Sequence, residues 1–504
     1  MTSKAAHVVV IGAGIGGLSA ALAMCCHGAT VTVVEQSNVT GGKMHQTTVD
    51  GVPIDSGPTV LTMRGVFDQL FSRAGMELEE HVALIKANHI ARHFWHGDQS
   101  LDLYTCIDQT SEAISQFSSP KEAQNYRAFA AKAEALFHAL DLNFMRAQRP
   151  GTMQLGINAT ASELVTILRS PPFTSLWRAL SRSFNDPRLQ QLFARYSTYC
   201  GSSPFKAPAT LMLIAHAERA GLWICRDGMQ SLAHALEAAI LAKGGEIRLS
   251  TGISQITCSN KAVSGVVTAN GEVIKTDAVI YNGDPAALGN GLLSEAVRRA
   301  TPKQSEASLS AYTLCTNTKV THPALAYHNV FFGNHYKKEF DAIFNKGELA
   351  QDPTIYVCAQ DRLNAASFTY NNSHEQHSSD HSNTERLFCL MNAAAQTVTN
   401  NEIQHATDTL KQTLCNHGLE LPDTASSQVI ATPNSFSDRF PGSKGALYGQ
   451  PTHGWMGSFK RPGSRSKVAG LYLAGGGVHP GAGLPMVSLS GQLAADQLAA
   501  DLPR

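Results

Sequence analysis

The most constraining feature of this chain is a strand–glycine–helix–strand unit near its start. An apolar run, His7-Val8-Val9-Val10-Ile11, leads into Gly12-Ala13-Gly14-Ile15-Gly16-Gly17. A second run, Ala29-Thr30-Val31-Thr32-Val33-Val34, ends on Glu35. This is G-x-G-x-x-G between strand and helix, with an acidic residue about twenty positions further on. Gly12, Gly14, Gly16 and Gly17 form the turn. Gly12 permits its tightness, Gly14 lets backbone N–H groups approach a pyrophosphate, and Gly17 lets the helix pack close to the sheet. The helix N-terminus then faces the phosphate charge. Glu35, at the C-terminal end of the second strand, is placed to accept hydrogen bonds from ribose hydroxyls. The pattern predicts a dinucleotide site.

A nicotinamide-binding unit would proceed to another helix and strand. Here the chain inserts Gly41-Gly42-Lys43-Met44 and then Val52-Pro53-Ile54-Asp55-Ser56-Gly57-Pro58-Thr59, a Gly-Gly-basic turn and a short hairpin. This order resembles the FAD-binding amine-oxidase and phytoene-desaturase superfamily. The resemblance implies an α/β fold: a discontinuous Rossmann-type FAD-binding domain with an α+β substrate domain. It also implies that Gly41, Gly42 and Lys43 run along the pyrophosphate and ribityl chain, with Gly57, Pro58 and Thr59 near the flavin ring.

The expected FAD-binding half lies in three pieces, about 1–85, 221–284 and 441–504, and the substrate half fills 86–220 and 285–440. In the second piece a helix precedes Glu246-Ile247-Arg248-Leu249 and Ile253. Ala262–Val267 and Glu272–Ile274 then flank Asn270-Gly271, a hairpin signature. The family implies an adenine contact at the backbone near Ile253. In the third piece Leu471-Tyr472-Leu473-Ala474 runs into a glycine run containing Gly475 and Gly483, followed by Leu484-Pro485-Met486 and a helical stretch. Its N–H dipoles would face the pyrimidine end of a flavin. The substrate half reads as helices at 122–142 and 187–199 with strands around 93–95, 101–104, 309–315, 329–332, 354–358 and 387–391.

Lys+Arg and Asp+Glu both number 40 in 504 residues, so formal charge is zero and nucleic-acid binding has no support. Charged residues are only 16% of the chain, against roughly 25% in ordinary soluble domains, with 43% hydrophobic. That balance is compatible with an oily substrate or an apolar surface patch. Ten cysteines show no metal-ligand spacing and read as reduced, buried thiols. Residues 8–26 imitate a membrane span or signal peptide, but their glycines and nucleotide fingerprint argue against both. No metal site is expected: His374, His377 and His381 sit in a polar insertion, and His89, His93 and His96 alternate around a strand.

The stretch Arg195 to Ala209 joins aromatic, small and proline residues ahead of a helix at 211–219. It suits an aromatic tunnel for a rod-like polyene, with Arg195, Tyr196 or Glu218 at a polar end; ordinary domain packing is the alternative. With all three pieces placed, the chain resembles bacterial carotenoid desaturases of the phytoene-desaturase type. It is most similar to the 1-hydroxycarotenoid 3,4-desaturases, on residues 57–64, 91–95, 195–204, 282–285, 327–332 and 475–483. The insertion near 371–384 and Leu484-Pro485-Met486 depart from the family pattern. The resemblance implies FAD-dependent removal of two hydrogens at C-3 and C-4 of an acyclic hydroxycarotenoid, with oxygen or a membrane quinone reoxidising the flavin. It implies a cytoplasmic protein, peripheral at the inner face of the membrane, with Pro171 to Trp177 as candidate contacts. Another carotenoid desaturase or isomerase, an amine oxidase and a non-catalytic FAD-binding assembly factor remain open. No catalytic acid or base is named.

Overall fold

The computed structural model describes residues 5–502 apart from 152–155, 158, 170–173, 305, 321, 323, 364–383 and 422–426. The His374, His377 and His381 reading therefore lies outside the described residues.

A five-stranded parallel sheet is assembled from three distant parts of the chain. Its spatial order is Glu246–Arg248, Thr30–Val34, His7–Ile11, Ala278–Tyr281 and Leu471–Leu473. Strand side chains alternate between faces, and the two faces feed two cores. Val8, Val10, Val31 and Val33 pack with helices Ile15–Cys26, Gln230–Ala242 and Leu484–Asp501. Val9, Val34, Val279 and Leu471 pack under the antiparallel meander Ile253–Ser259, Ala262–Thr268 and Val273–Lys275. Helix and sheet approach closely: a Cβ on Gly17 would stand 2.0 Å from the Gly12 carbonyl oxygen. The last helix crosses the first at Gly491, where a Cβ would lie 2.1 Å from the Gly16 carbonyl oxygen.

A seven-stranded sheet forms the second layer. Its order is Gln428–Ala431, Ser310–Thr318, Glu385–Ala393, Ile355–Ala359, His328–Phe331, His89–Trp95 and Gln99–Tyr104. All neighbours run antiparallel except His328–Phe331 against His89–Trp95. Helices Pro120–Leu140, Leu176–Ser183, Pro187–Ala194 and Leu213–Ala220 bury an aromatic-rich core with residues of this sheet. The single helix expected at 187–199 is corrected: α-helix stops at Ala194, and Arg195–Cys200 tightens into a 3-10 turn closed by Gly201 at φ +63°. That tightening turns Arg195 and Tyr199 toward the space between the layers. Among the described residues, no helix is long and apolar enough to cross a membrane.

Candidate active site

One continuous cavity of about 600 Å³ joins the two layers. One part of it is walled by Gly12, Gly14, Gly16, Glu35, Gly41, Gly42, Lys43, Gly57, Pro58, Thr59, Ile253, Gly475, Gly483, Leu484, Pro485 and Met486. Gly17 stands behind this wall as a packing residue, since any side chain there would strike the Gly12 carbonyl. Helices Ile15–Cys26 and Leu484–Asp501 begin at Gly14 and Gly483, with no side-chain cap and no acidic residue in the first turn. Their free N–H groups and dipoles therefore favour an anionic or electron-rich occupant. Glu35 is buried and oriented by backbone: Ala13 N–H donates to Oε2 at 2.7 Å and Ser37 N–H to Oε1 at 2.8 Å.

Three residues to which the sequence reading gave no role in the site organise this wall. Asn282, at the end of a central strand, donates from Nδ2 to the Gly12 carbonyl at 3.3 Å and touches Cβ positions built on Gly14, Gly16, Gly17 and Gly475. It joins the first and last glycine turns. Arg439 donates to the Gly42 carbonyl at 3.1 Å and contacts His45 Nε2 at 2.7 Å, bringing a positive charge beside Glu35. The wholly buried Arg461 donates to the carbonyls of Tyr448, Gly476 and Gln450, locking the C-terminal glycine turn. Arg439 meets partners nearly four hundred positions away, which no sequence window links, whereas the partners of Arg461 are 11 to 15 residues off. Lys43 reaches the Leu447 carbonyl across the cavity, and burial pulls its pKa down, with Asp284 opposing.

The other part of the cavity is mostly aromatic and aliphatic. One face of the seven-stranded sheet supplies Thr313, Val330, Tyr356, Phe388, Leu390 and Asn392, while Phe137, Leu213, Ile214 and Ala217 come from helices. Arg195 and Glu218 line it. Arg195 donates to the Tyr199 hydroxyl at 3.1 and 3.2 Å, and Tyr199 donates to Glu218 Oε1 at 2.7 Å. Tyr196 is a correction. Its ring faces the helical core, away from the cavity, and it supports Glu218 by donating to Oε2 at 2.7 Å. Of the two tyrosines in this turn it is Tyr199, four residues on from Arg195, that lines the space. Between the two parts, Tyr356 Oη lies 2.6 Å from Thr59 Oγ1 and 2.7 Å from His328 Nδ1.

Other stretches singled out in the sequence lie away from this cavity or outside the described residues. Pro171, Pro172 and Phe173 lie outside the described residues, and Trp177 is half-buried, its ring 4.8 Å from that of Phe205. Part of its ring packs inward and part stays exposed. His89 pairs with Asp102 at 2.9 Å, and His93 stacks on Phe332. Glu134, His138 and His216 form a cluster with metal-like spacing, but Arg219 already fills it, donating to Glu134 Oε2 at 2.8 Å. All ten cysteines are free; Cys106 and Cys415 are exposed rather than buried.

The site fits FAD. The unfilled helix N-termini, the buried and oriented carboxylate, and the glycine turns held by Asn282 supply the recognition such a dinucleotide requires. The model for flavin containing amine oxidoreductases matches residues 15–499. The hydroxyneurosporene desaturase of Rubrivivax gelatinosus is 44% identical over 503 residues, covering 98% of this chain and 94% of that protein. The hydroxyneurosporene desaturase of Rhodobacter capsulatus is 40% identical, with 98% of both chains covered. A putrescine oxidase variant superposes with a TM-score of 0.60 over 98% of each chain at 12% identity, a likeness of fold alone. The chain therefore belongs to the flavin-containing amine oxidoreductase family and is an FAD-dependent oxidoreductase.

Proposed function

We propose that this protein desaturates an acyclic 1-hydroxycarotenoid, such as 1-hydroxyneurosporene or its methoxy derivative, at C-3 and C-4. The observation that carries the reading is the cavity itself: one continuous space runs from the glycine turns onto a mostly apolar, aromatic-lined floor. The full-length similarity to hydroxyneurosporene desaturases points to the same substrate class. Bound FAD supplies the two-electron acceptor for such a reaction. Gly12, Gly14, Gly16, Gly41, Gly42, Lys43 and Glu35 would hold its adenosine and pyrophosphate side. Gly57, Pro58, Thr59, Gly475 and the turn from Gly483 to Met486 would face the flavin side.

The remaining work of the chain is alignment and water exclusion. An allylic C–H beside a polyene needs its bond held in one orientation more than it needs a strong base. Phe388, Leu390 and Val330 would form a flat apolar floor for the polyene, with Phe137, Leu213 and Ile214 opposite. The Arg195–Tyr199–Glu218 chain would stiffen the aromatic wall. Thr59 and His328 fix the Tyr356 hydroxyl, so that its ring keeps one orientation between the two parts of the cavity.

The substrate resides in lipid, so peripheral membrane contact belongs to the same reading, with oxygen or a quinone as terminal acceptor. Exposed Leu142, Ile157, Leu164 and Val165 are concentrated in one stretch of the chain close to the cavity residues Phe137 and Met145. This stretch joins Pro171 to Trp177 as a proposed contact. The test is conversion by FAD-loaded protein in liposomes, offered 1-hydroxyneurosporene and phytoene separately. A red-shifted product from the hydroxylated substrate alone supports the reading; conversion of phytoene alone contradicts it.

A further inference from the structure

The cavity carries a polar cluster that the proposed reaction has not yet used. Tyr336 and Glu339 lie three residues apart on the short helix Tyr336–Asp341, so their side chains share one face. Both line the cavity and both are almost fully buried, at 5% and 2% exposure. Glu339 Oε2 accepts from Thr354 Oγ1 at 2.8 Å and from Thr354 N–H at 3.2 Å. Tyr336 Oη has no hydrogen-bond partner among the described residues, and Glu339 Oε1 closes none there, although the Asn392 side-chain amide lies near enough to favour the charged carboxylate. A buried polar atom left unpaired costs roughly 1–3 kcal/mol. Two of them on residues that line one cavity mark where a polar ligand atom would be met by a small side-chain adjustment.

The Arg195 network differs in this respect. Glu218 already accepts from Tyr196 and Tyr199, one on each oxygen, and the Tyr199 hydroxyl both donates and accepts. The unpaired capacity lies at Tyr336 and Glu339.

We propose that Tyr336 Oη and Glu339 Oε1 form the subsite for a lone hydroxyl near one end of an otherwise apolar polyene. This rests on the carotenoid reading above. An alcohol oxygen would accept from the Tyr336 hydroxyl while its proton is shared with Glu339 Oε1. Burial pushes the Glu339 carboxyl up to about 7, with Thr354 and the nearby Asn392 amide opposing the shift. Such a carboxyl suits a neutral hydroxyl partner. Placement also fits. Thr354, which holds Glu339, precedes Tyr356 by two residues on the same extended segment, roughly 7 Å along it. Tyr356 touches Thr59 on the wall expected to face the flavin ring. In the proposed substrate only C-2 separates the hydroxyl-bearing carbon from the bond that is desaturated. A group gripping that oxygen therefore chooses which bond is presented.

The test compares the holoenzyme with Tyr336→Phe and Glu339→Gln, which keep side-chain volume. Two readouts are taken: kcat/KM for 1-hydroxyneurosporene, and the inhibition constant of neurosporene, which has the same conjugated polyene with a C-1,2 double bond in place of the hydroxyl, as a competitor. Each variant is expected to lower kcat/KM about tenfold, the loss of about one hydrogen bond, with the neurosporene constant unchanged. Unchanged turnover, or equal weakening of both ligands, would overturn the subsite. If the wild type converts neither carotenoid, direct binding separates the two claims. Quenching of tryptophan fluorescence serves here, since the Trp177 ring lies 6.2 Å from that of Tyr336. Tighter binding of the hydroxylated carotenoid, lost in Tyr336→Phe, would then uphold the subsite and remove the desaturation reading. Equal binding would remove the subsite as well.

Discussion

The Tyr199 hydroxyl stands 2.7 Å from Glu218 Oε1 and is also the hydrogen-bond acceptor for two nitrogens of Arg195. One phenol thus couples a carboxylate and a guanidinium that do not touch. Tyr199→Phe would leave a buried carboxylate oxygen and a guanidinium without this partner, at a cost of roughly 1–3 kcal/mol. The expected outcome is a lower melting temperature of the FAD-loaded protein and unchanged flavin content. Loss of flavin with no change in melting would assign Tyr199 to the cofactor wall instead.

Asn282 is the contact shared by the first and last glycine turns. Asn282→Asp replaces an amide donor with a carboxylate that faces the Gly12 carbonyl. Like-charged oxygens there repel each other and the diphosphate expected above them. FAD affinity should fall at least about tenfold, a loss of ~1.4 kcal/mol, read as flavin retained through gel filtration.

Gly17→Ala puts a methyl 2.0 Å from a backbone oxygen that cannot rotate away. Overpacking of this kind costs about 3 kcal/mol. The variant should melt early both with and without FAD, which separates a packing defect from a binding one.

Glu339 provides a pH signature. Its folded value is raised by burial to about 7 from an ordinary 4.5. Between those values the folded state holds the proton more firmly than the unfolded state, so stability falls as pH rises. The contribution is fully present below 4.5, is lost across the interval, and levels off above 7. The difference in melting temperature between wild type and Glu339→Gln should move in favour of the variant across this window. A difference that stays flat would show that Glu339 does not titrate there.

Leu142 and Ile157 are 71% and 75% exposed. If they dip into lipid, Leu142→Asp and Ile157→Asp together should reduce cosedimentation with liposomes several-fold while FAD content stays constant. Unchanged cosedimentation would place the membrane contact elsewhere.

The glycine turns, Glu35 and the split five-stranded sheet were legible because each is a local pattern with a fixed backbone requirement. Gly12, Gly41 and Gly475 adopt φ of +98°, +112° and +112°, conformations that a strand-to-turn glycine motif announces. Arg195 and Glu218 were legible as polar residues amid aromatic neighbours. Tyr196 and Tyr199 could not be told apart, because a 3-10 turn replaces the α-helix there and changes which side chain faces the cavity. Asn282 and Arg439 act on backbone carbonyls hundreds of positions away, and no local spacing encodes such contacts; Arg461 acts on nearer carbonyls, but only the folded loop brings the three together. Tyr336 and Glu339 belong to no motif in the sequence. Only burial without partners distinguishes them.

The most direct test of the central claim is anaerobic mixing of the FAD-loaded protein with 1-hydroxyneurosporene, and separately with a primary amine. The account predicts bleaching of the flavin absorbance by the carotenoid alone, with one product double bond formed per flavin reduced. Bleaching by the amine, with the carotenoid recovered unchanged, would contradict it.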